Sequence, residues 1–190
     1  MLRETAVDSR HRPEQFCSQF FPAETIVNRN SLLLQLWEEA FEQKTWHGPN
    51  LWQSLKGVTA KQAAWRPAPR RHNIWEEALH AAYWKYAVRR RLEGGKRGSF
   101  VLDGSNFFHR PLPGNGTEAA WKADKAILRQ EHQALRLAIQ QVLAKPVSAK
   151  VLRMLWGVAF HDVYHAGQIR LLRRGAKSEK VSDYAGSVRW

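Results

Sequence analysis

A single cysteine, Cys17, in a chain of 190 residues excludes an internal disulfide and a cysteine-rich zinc site, so any bound metal must be held by nitrogen and oxygen ligands. No apolar run approaches the ~18 residues of a membrane span, and Met1-Leu2-Arg3-Glu4 puts charge where a signal peptide needs an apolar core. The expectation is a soluble, cytoplasmic protein with no membrane partner. Strand-like alternation is scarce, and neither a recognition-helix nor a zinc-finger motif for DNA is present. Acidic residues are also few. Seventeen Asp and Glu stand against thirty Lys and Arg, a net charge of +13, which raises the chance of an anionic partner such as nucleic acid, acidic lipid or a small negatively charged substrate. The same balance occurs in basic soluble domains that bind none of these, because net charge reports on solubility and association rather than fold.

What is present is helical periodicity. The length suits one domain with a real core, and the chain divides into an N-terminal tail, 1–29, a helical domain, 30–175, and a polar C-terminal tail, 176–190. The tail before Asn30 has no sustained period but carries Phe16, Phe20 and Phe21 as anchors. Asn30 or Ser31 can cap a first helix with Leu33, Leu36, Trp37, Ala40 and Phe41 on one face, stopped by His47-Gly48-Pro49. Residues 50–73 read as a long connection holding one short helical turn, with Arg66-Pro67-Ala68-Pro69 extended. Asn73 caps a second helix with Trp75, Leu79, Ala82 and Tyr86 on its apolar face, ended by Gly94-Gly95.

A connection of over twenty residues follows, to Gly116, with Phe100, Phe107 and Phe108 interleaved among Gly, Ser, Asn and Pro; a loop this long in a compact domain can border a site. Thr117 or Gly116 starts a third helix with the stripe Trp121, Leu128, Leu135 and Val142, and the short Lys145-Pro146-Val147 link predicts that helices three and four are antiparallel neighbours. The fourth helix, 148–174, is apolar on two sides, so it should pack on the core and on something else, such as the N-terminal tail or a second subunit in a homodimer. Gly175 is its expected end. Four long helices and two long connections predict an all-α four-helix bundle.

The chemistry concentrates in His161-Asp162-Val163-Tyr164-His165. Histidines four apart on a helix share a face, with Cβ atoms roughly 5–6 Å apart, close enough for both imidazoles to turn onto one ion. His80, on the edge of the second helix's apolar face, is the candidate third ligand. Neutral imidazole suits Zn, Ni, Fe or Cu, and three nitrogens leave positions open for a water or a substrate thiolate or carbonyl. With no carboxylate or thiolate ligand the site would keep a net charge near +2, which favours an anionic substrate.

Arg66-Pro67, His72-Asn73-Ile74-Trp75-Glu76, His80, Trp84 and Arg91-Leu92, followed some eighty residues after His80 by His161-Asp162-Val163-Tyr164-His165-Ala166-Gly167-Gln168-Ile169, together resemble the DinB/YfiT-like superfamily over roughly residues 31–174. The resemblance implies a four-helix bundle carrying a divalent metal on His80, His161 and His165, for which imidazole ligands favour Zn, Ni or Fe. It further implies a metal-dependent hydrolase, or a transferase or isomerase that uses a low-molecular-weight thiol, acting on a small substrate. The DNA polymerase sharing the DinB name is unrelated.

Around that triad, Glu76 is a candidate catalytic base or tautomer-setting partner of His80, though its first-turn position also suits the helix dipole. His132, at the centre of the third helix's stripe, could be a fourth ligand, an outer partner or a core histidine. Asp162 and Gln168 could orient ligands or substrate, with Asp162 also free to face solvent, and Trp84 and Tyr164 could wall the pocket. The basic residues Lys85, Arg89, Arg90, Arg91, Lys96 and Arg97, and Arg170, Arg173, Arg174 and Lys177, suit helix C-termini electrostatically. The alternatives to an enzyme are a non-catalytic metal-binding scaffold and a basic helical module that contacts nucleic-acid phosphates through these clusters.

Overall fold

In a computed structural model the chain is described over residues 28–185, with side chains to Lys177. The N-terminal phenylalanines and the last five residues lie outside that range. The described residues are all helical or loop, in the order α1 (Arg29–Phe41), α2 (Leu51–Leu55), α3 (Ala60–Ala64), α4 (Ile74–Glu93), α5 (Glu118–Leu143) and α6 (Ala149–Ala185).

Local chemistry sets most of the helix ends. The Asn28 side chain, ahead of the expected Asn30 or Ser31 cap, accepts from the Asn30 backbone N–H at 2.8 Å, and the Asn30 side-chain NH2 donates instead to the Leu143 carbonyl at 2.8 Å. The connection expected to hold one helical turn holds two, α2 and α3, each opened by a reciprocal capping box, Asn50 with Gln53 and Thr59 with Gln62. Asn73 caps α4, and Gly94 ends it in the left-handed conformation at φ +70°.

Helix α4 is the hub. It packs on both α5 and α6, while α1 packs on α6. α5 and α6, expected as antiparallel neighbours, do not pack side by side: a short link fixes where two helices end and begin, but the apolar faces decide what each one covers. Two buried clusters result. One gathers Leu51, Leu55, Ile74, Trp75, Leu79, Trp121, Leu128 and Ile169 around the N-terminal half of α4, and the other gathers Trp37, Val88, Leu135, Ile139, Leu155 and Val158 toward the opposite end.

Helix α6 departs from expectation in two ways. Instead of two apolar sides it buries one seam, through Leu155, Val158, Ala159, Asp162, His165, Ala166 and Ile169, and leaves Trp156, Phe160, Tyr164 and Leu171 exposed. And Gly175 does not end it. The helix continues to Ala185, because one glycine costs a helix only about 1 kcal/mol. The residue serves packing instead: a Cβ at 175 would lie 2.4 Å from Cη2 of the Trp65 indole.

The long connection between α4 and α5 is tied down at its end. The Asn73 side chain donates to the Arg110 carbonyl at 2.7 Å, and Asp124 Oδ2 accepts from both the Arg110 guanidinium, at 2.8 Å, and the Trp75 indole, at 2.7 Å. This anchoring holds residues 106–108 against the middle of α4.

Candidate metal centre

His80 comes from the second turn of α4, and His161 with His165 from adjacent turns of α6. Their imidazoles converge. His161 Nε2 lies 3.1 Å from Nε2 of His80 and 3.1 Å from Nε2 of His165. His80 and His165 are buried and His161 is half-buried.

The outer hydrogen bonds fix what these nitrogens can be. His80 Nδ1 lies 3.0 Å from the Asn106 backbone carbonyl, which only accepts, so Nδ1 carries the proton. His165 Nδ1 donates to the Glu77 carboxylate at 2.6 Å. In their neutral forms both rings therefore present Nε2 as a lone pair. His161 Nδ1 is buried without a partner. A single N–H on His161 Nε2 could satisfy one of its two neighbours but not both, whereas one cation between the three satisfies every lone pair. Ligands about 2.0–2.1 Å from a zinc ion and roughly 100–110° apart are separated by about 3.1–3.4 Å, and the two 3.1 Å contacts fit that spacing.

Electrostatics favour the ligand-competent form. Burial, then the neighbouring His165, pushes His80 down to about 4, and burial with the two other rings pushes His161 down to about 3. Both are neutral near pH 7. Phe107 stacks on His80 at 4.0 Å between centroids and on His72 at 3.6 Å, while the Trp84 ring stands 6.0 Å from His161. Tyr164, exposed, stands edge-on to His165 at 5.1 Å, and its hydroxyl accepts from the Gln168 amide at 3.2 Å. Trp84 and Tyr164 thus stand beside triad rings, and Gln168 reaches that edge through Tyr164.

Three other residues sit differently. Glu76 is turned away from His80 and held by the Arg66 guanidinium, by His72 Nδ1 at 3.1 Å and by the Arg110 amide at 3.1 Å. Burial would raise its pKa, but these donors outweigh it and hold the carboxyl at about 2. So weak a base is a poor proton acceptor near neutrality; the carboxylate fastens the loop instead. Asp162, free in sequence terms to face solvent, is fully buried and paired with Lys85, itself fully buried rather than part of a basic surface. Glu77, whose first-turn position in sequence suits only the helix dipole, is the carboxylate that orients a triad histidine.

His132 lies apart from the triad, beside Glu38 and Glu42. It is stacked between Trp37, at 3.9 Å, and Phe41, at 3.6 Å, and neither ring nitrogen has a hydrogen-bond partner. Arg136 and Arg129 already neutralise the two carboxylates. Burial, then the Lys85 and Arg129 charges, pushes the imidazole well below its ordinary pKa. The unfolded chain binds a proton below about pH 6.5 that this folded site refuses, so stability falls as pH drops, by ~1.4 kcal/mol per pH unit for each such histidine. His132→Leu should leave stability at pH 7 unchanged or higher and remove one proton from that slope, measured by urea unfolding of metal-free protein between pH 7 and pH 5. Parallel slopes in wild type and variant would contradict the assignment.

No curated protein and no solved structure matches the sequence. The DinB superfamily does, its profile matching residues 43–169, which takes in α2 to α5, the long connection and α6 through Ile169, with all three histidines inside it. The chain belongs to the DinB superfamily.

Proposed function

We propose that the protein is a metalloenzyme that holds one divalent ion, Zn, Ni or Fe, on His80, His161 and His165 and acts on a small substrate, as a hydrolase or as a transferase using a low-molecular-weight thiol. The observation that carries the reading is the convergence of three imidazoles, two of them with Nδ1 protons fixed by Asn106 and Glu77. Such an ion would supply Lewis acidity, lowering the pKa of a water or thiol at its open positions. The chain's own groups do the rest. Glu77 keeps the His165 proton on Nδ1 and makes Nε2 a better donor; Asn106 does the same for His80 without adding charge. Trp84 and Phe107 dry two sides of the site, and Tyr164 with Gln168 offers hydrogen-bonding groups at its exposed edge.

The test is hydrolysis of activated esters, and conjugation of a low-molecular-weight thiol to an aryl halide, by protein loaded with each of the three metals. Activity above that of His161→Ala in either assay supports the reading and identifies the reaction class. Glu77→Gln should then need about 10–100-fold more metal for half-maximal activity. Rates equal to those of His161→Ala in both assays, with every metal, would overturn the enzyme reading.

A further inference from the structure

The last turns of α4 and the loop after it enclose a cavity of about 470 Å³ that does not include the triad. Its walls combine the rings of Tyr83, Trp84 and Phe100 with the side chains of Arg90, Arg91 and Arg97, and Asp103 is the one carboxylate in its lining. The cavity therefore carries net positive charge beside flat apolar surface.

The basic residues of this region are not equivalent. Lys85 is buried against Asp162, and Arg89 is spent on Glu131 and Glu93. Arg90 donates to the Gly95 carbonyl at 3.2 Å, an ordinary helix-end contact. A helix C-terminus attracts cations with no ligand present, which accounts for basic side chains at 90 and 91. It does not account for Arg97, which arrives from the loop beyond Gly94 and faces the same cavity. Neither Arg91 nor Arg97 pairs with a carboxylate among the described residues.

The cavity also shares parts with the metal centre. Asp103, Gly104 and Ser105 line it and lead directly into Asn106, a non-glycine residue at φ +69°. The Asn106 carbonyl holds the His80 proton, and its side-chain oxygen accepts from the Trp84 indole at 3.1 Å. Trp84 is thus a wall of the cavity on one side and stands 6.3 Å from the His80 ring on the other.

From this juxtaposition we infer that the cavity binds the anionic end of the substrate, a phosphate or carboxylate on a flat apolar body, with Arg91 and Arg97 gripping the charge and Trp84 contacting the body beside the triad. The word substrate rests on the proposed function; binding in the cavity does not. Guanidinium–oxyanion contacts are the strong, geometrically matched kind, and aromatic walls suit a planar group.

Phenyl phosphate, benzoate and uncharged benzyl alcohol are titrated into metal-free protein, following the Trp84 indole N–H resonance by NMR after assignment with Trp84→Phe. Saturable binding of phenyl phosphate or benzoate, at least tenfold tighter than benzyl alcohol and weakened at least tenfold in a folded Arg91→Gln/Arg97→Gln double variant, is the expected result; which anion binds names the class. Arg70→Gln, in the separate cavity of about 450 Å³ lined by Arg66, His72 and Phe107, should bind as wild type does. Equal affinity in wild type and the double variant, or no saturable shift with either anion, overturns the inference. The same titration on His161→Ala separates it from the metal reading, since anion binding should survive there.

Discussion

Asp162→Ala is expected to cost about 3–5 kcal/mol of folding stability. The Lys85 ammonium has no solvent exposure, its ion-pair partner among the described residues is Asp162, the Glu38 carboxylate acts on it from farther off, and it stands over the Phe41 ring at 4.7 Å and the Trp37 ring at 5.4 Å. Burial pushes the Lys85 pKa down and the Asp162 pKa up, and each partner opposes that push in the other. Removing one charge leaves the other desolvated without its ion-pair partner. For a chain of this size the loss corresponds to a drop of roughly 10 °C in melting temperature, at about 2–4 °C per kcal/mol. Lys85→Met/Asp162→Leu, which removes both charges and keeps side chains of similar shape, should return to within about 1 kcal/mol of wild type or exceed it. Urea unfolding of the two variants tests this, and a double variant as unstable as the single one would contradict it.

The pair does more than hold. Asp162 follows His161 directly, and Lys85 lies on α4 between His80 and the end of the helix. Their contact therefore sets the register of α6 against α4 at the level where the three imidazoles meet. Stability and geometry of the centre are coupled through it.

The second large effect is loss of metal on removing any one triad histidine. Two ligands on adjacent turns of one helix can hold an ion weakly, but the third fixes its position between α4 and α6, so each alanine variant should bind far more weakly than the 10–100-fold loss expected from an outer hydrogen-bond partner such as Glu77. The three losses should be alike although the residues differ in burial, because each supplies one of three converging Nε2 atoms.

How far the sequence carried this account depends on the range of the interactions. Apolar spacing located the four long helices, and Asn73 and Thr117 cap α4 and α5 where their side chains suggest. The His161 and His165 spacing, with His80 on another helix, located the triad. Helix periodicity could not choose between Glu76 and Glu77, which both lie one turn before His80; the choice is made by Arg66 and the Arg110 amide, which arrive from loops and capture Glu76. Asn106 was invisible for the same reason, since an irregular connection has no period to read. Lys85 and Asp162 did leave a trace. Lys85 sits among Ala78, Ala81 and Ala82 on one face, and Asp162 between Ala159 and Ala166 on another, so each charge occupies an apolar seam, and opposite charges at such positions are candidates for a buried pair. The continuation of α6 past Gly175 left none, because the glycine answers to Trp65, distant in sequence.

The most direct test of the central claim is metal content. Wild type, His80→Ala, His161→Ala and His165→Ala, each shown to be folded by circular dichroism and each supplied with Zn, Ni and Fe, are freed of loose ions and analysed for bound metal. The account predicts about one ion per chain in the wild type for at least one of the three metals and little in any variant. Equal, negligible metal in all four proteins, or full occupancy that persists without His80, would contradict it.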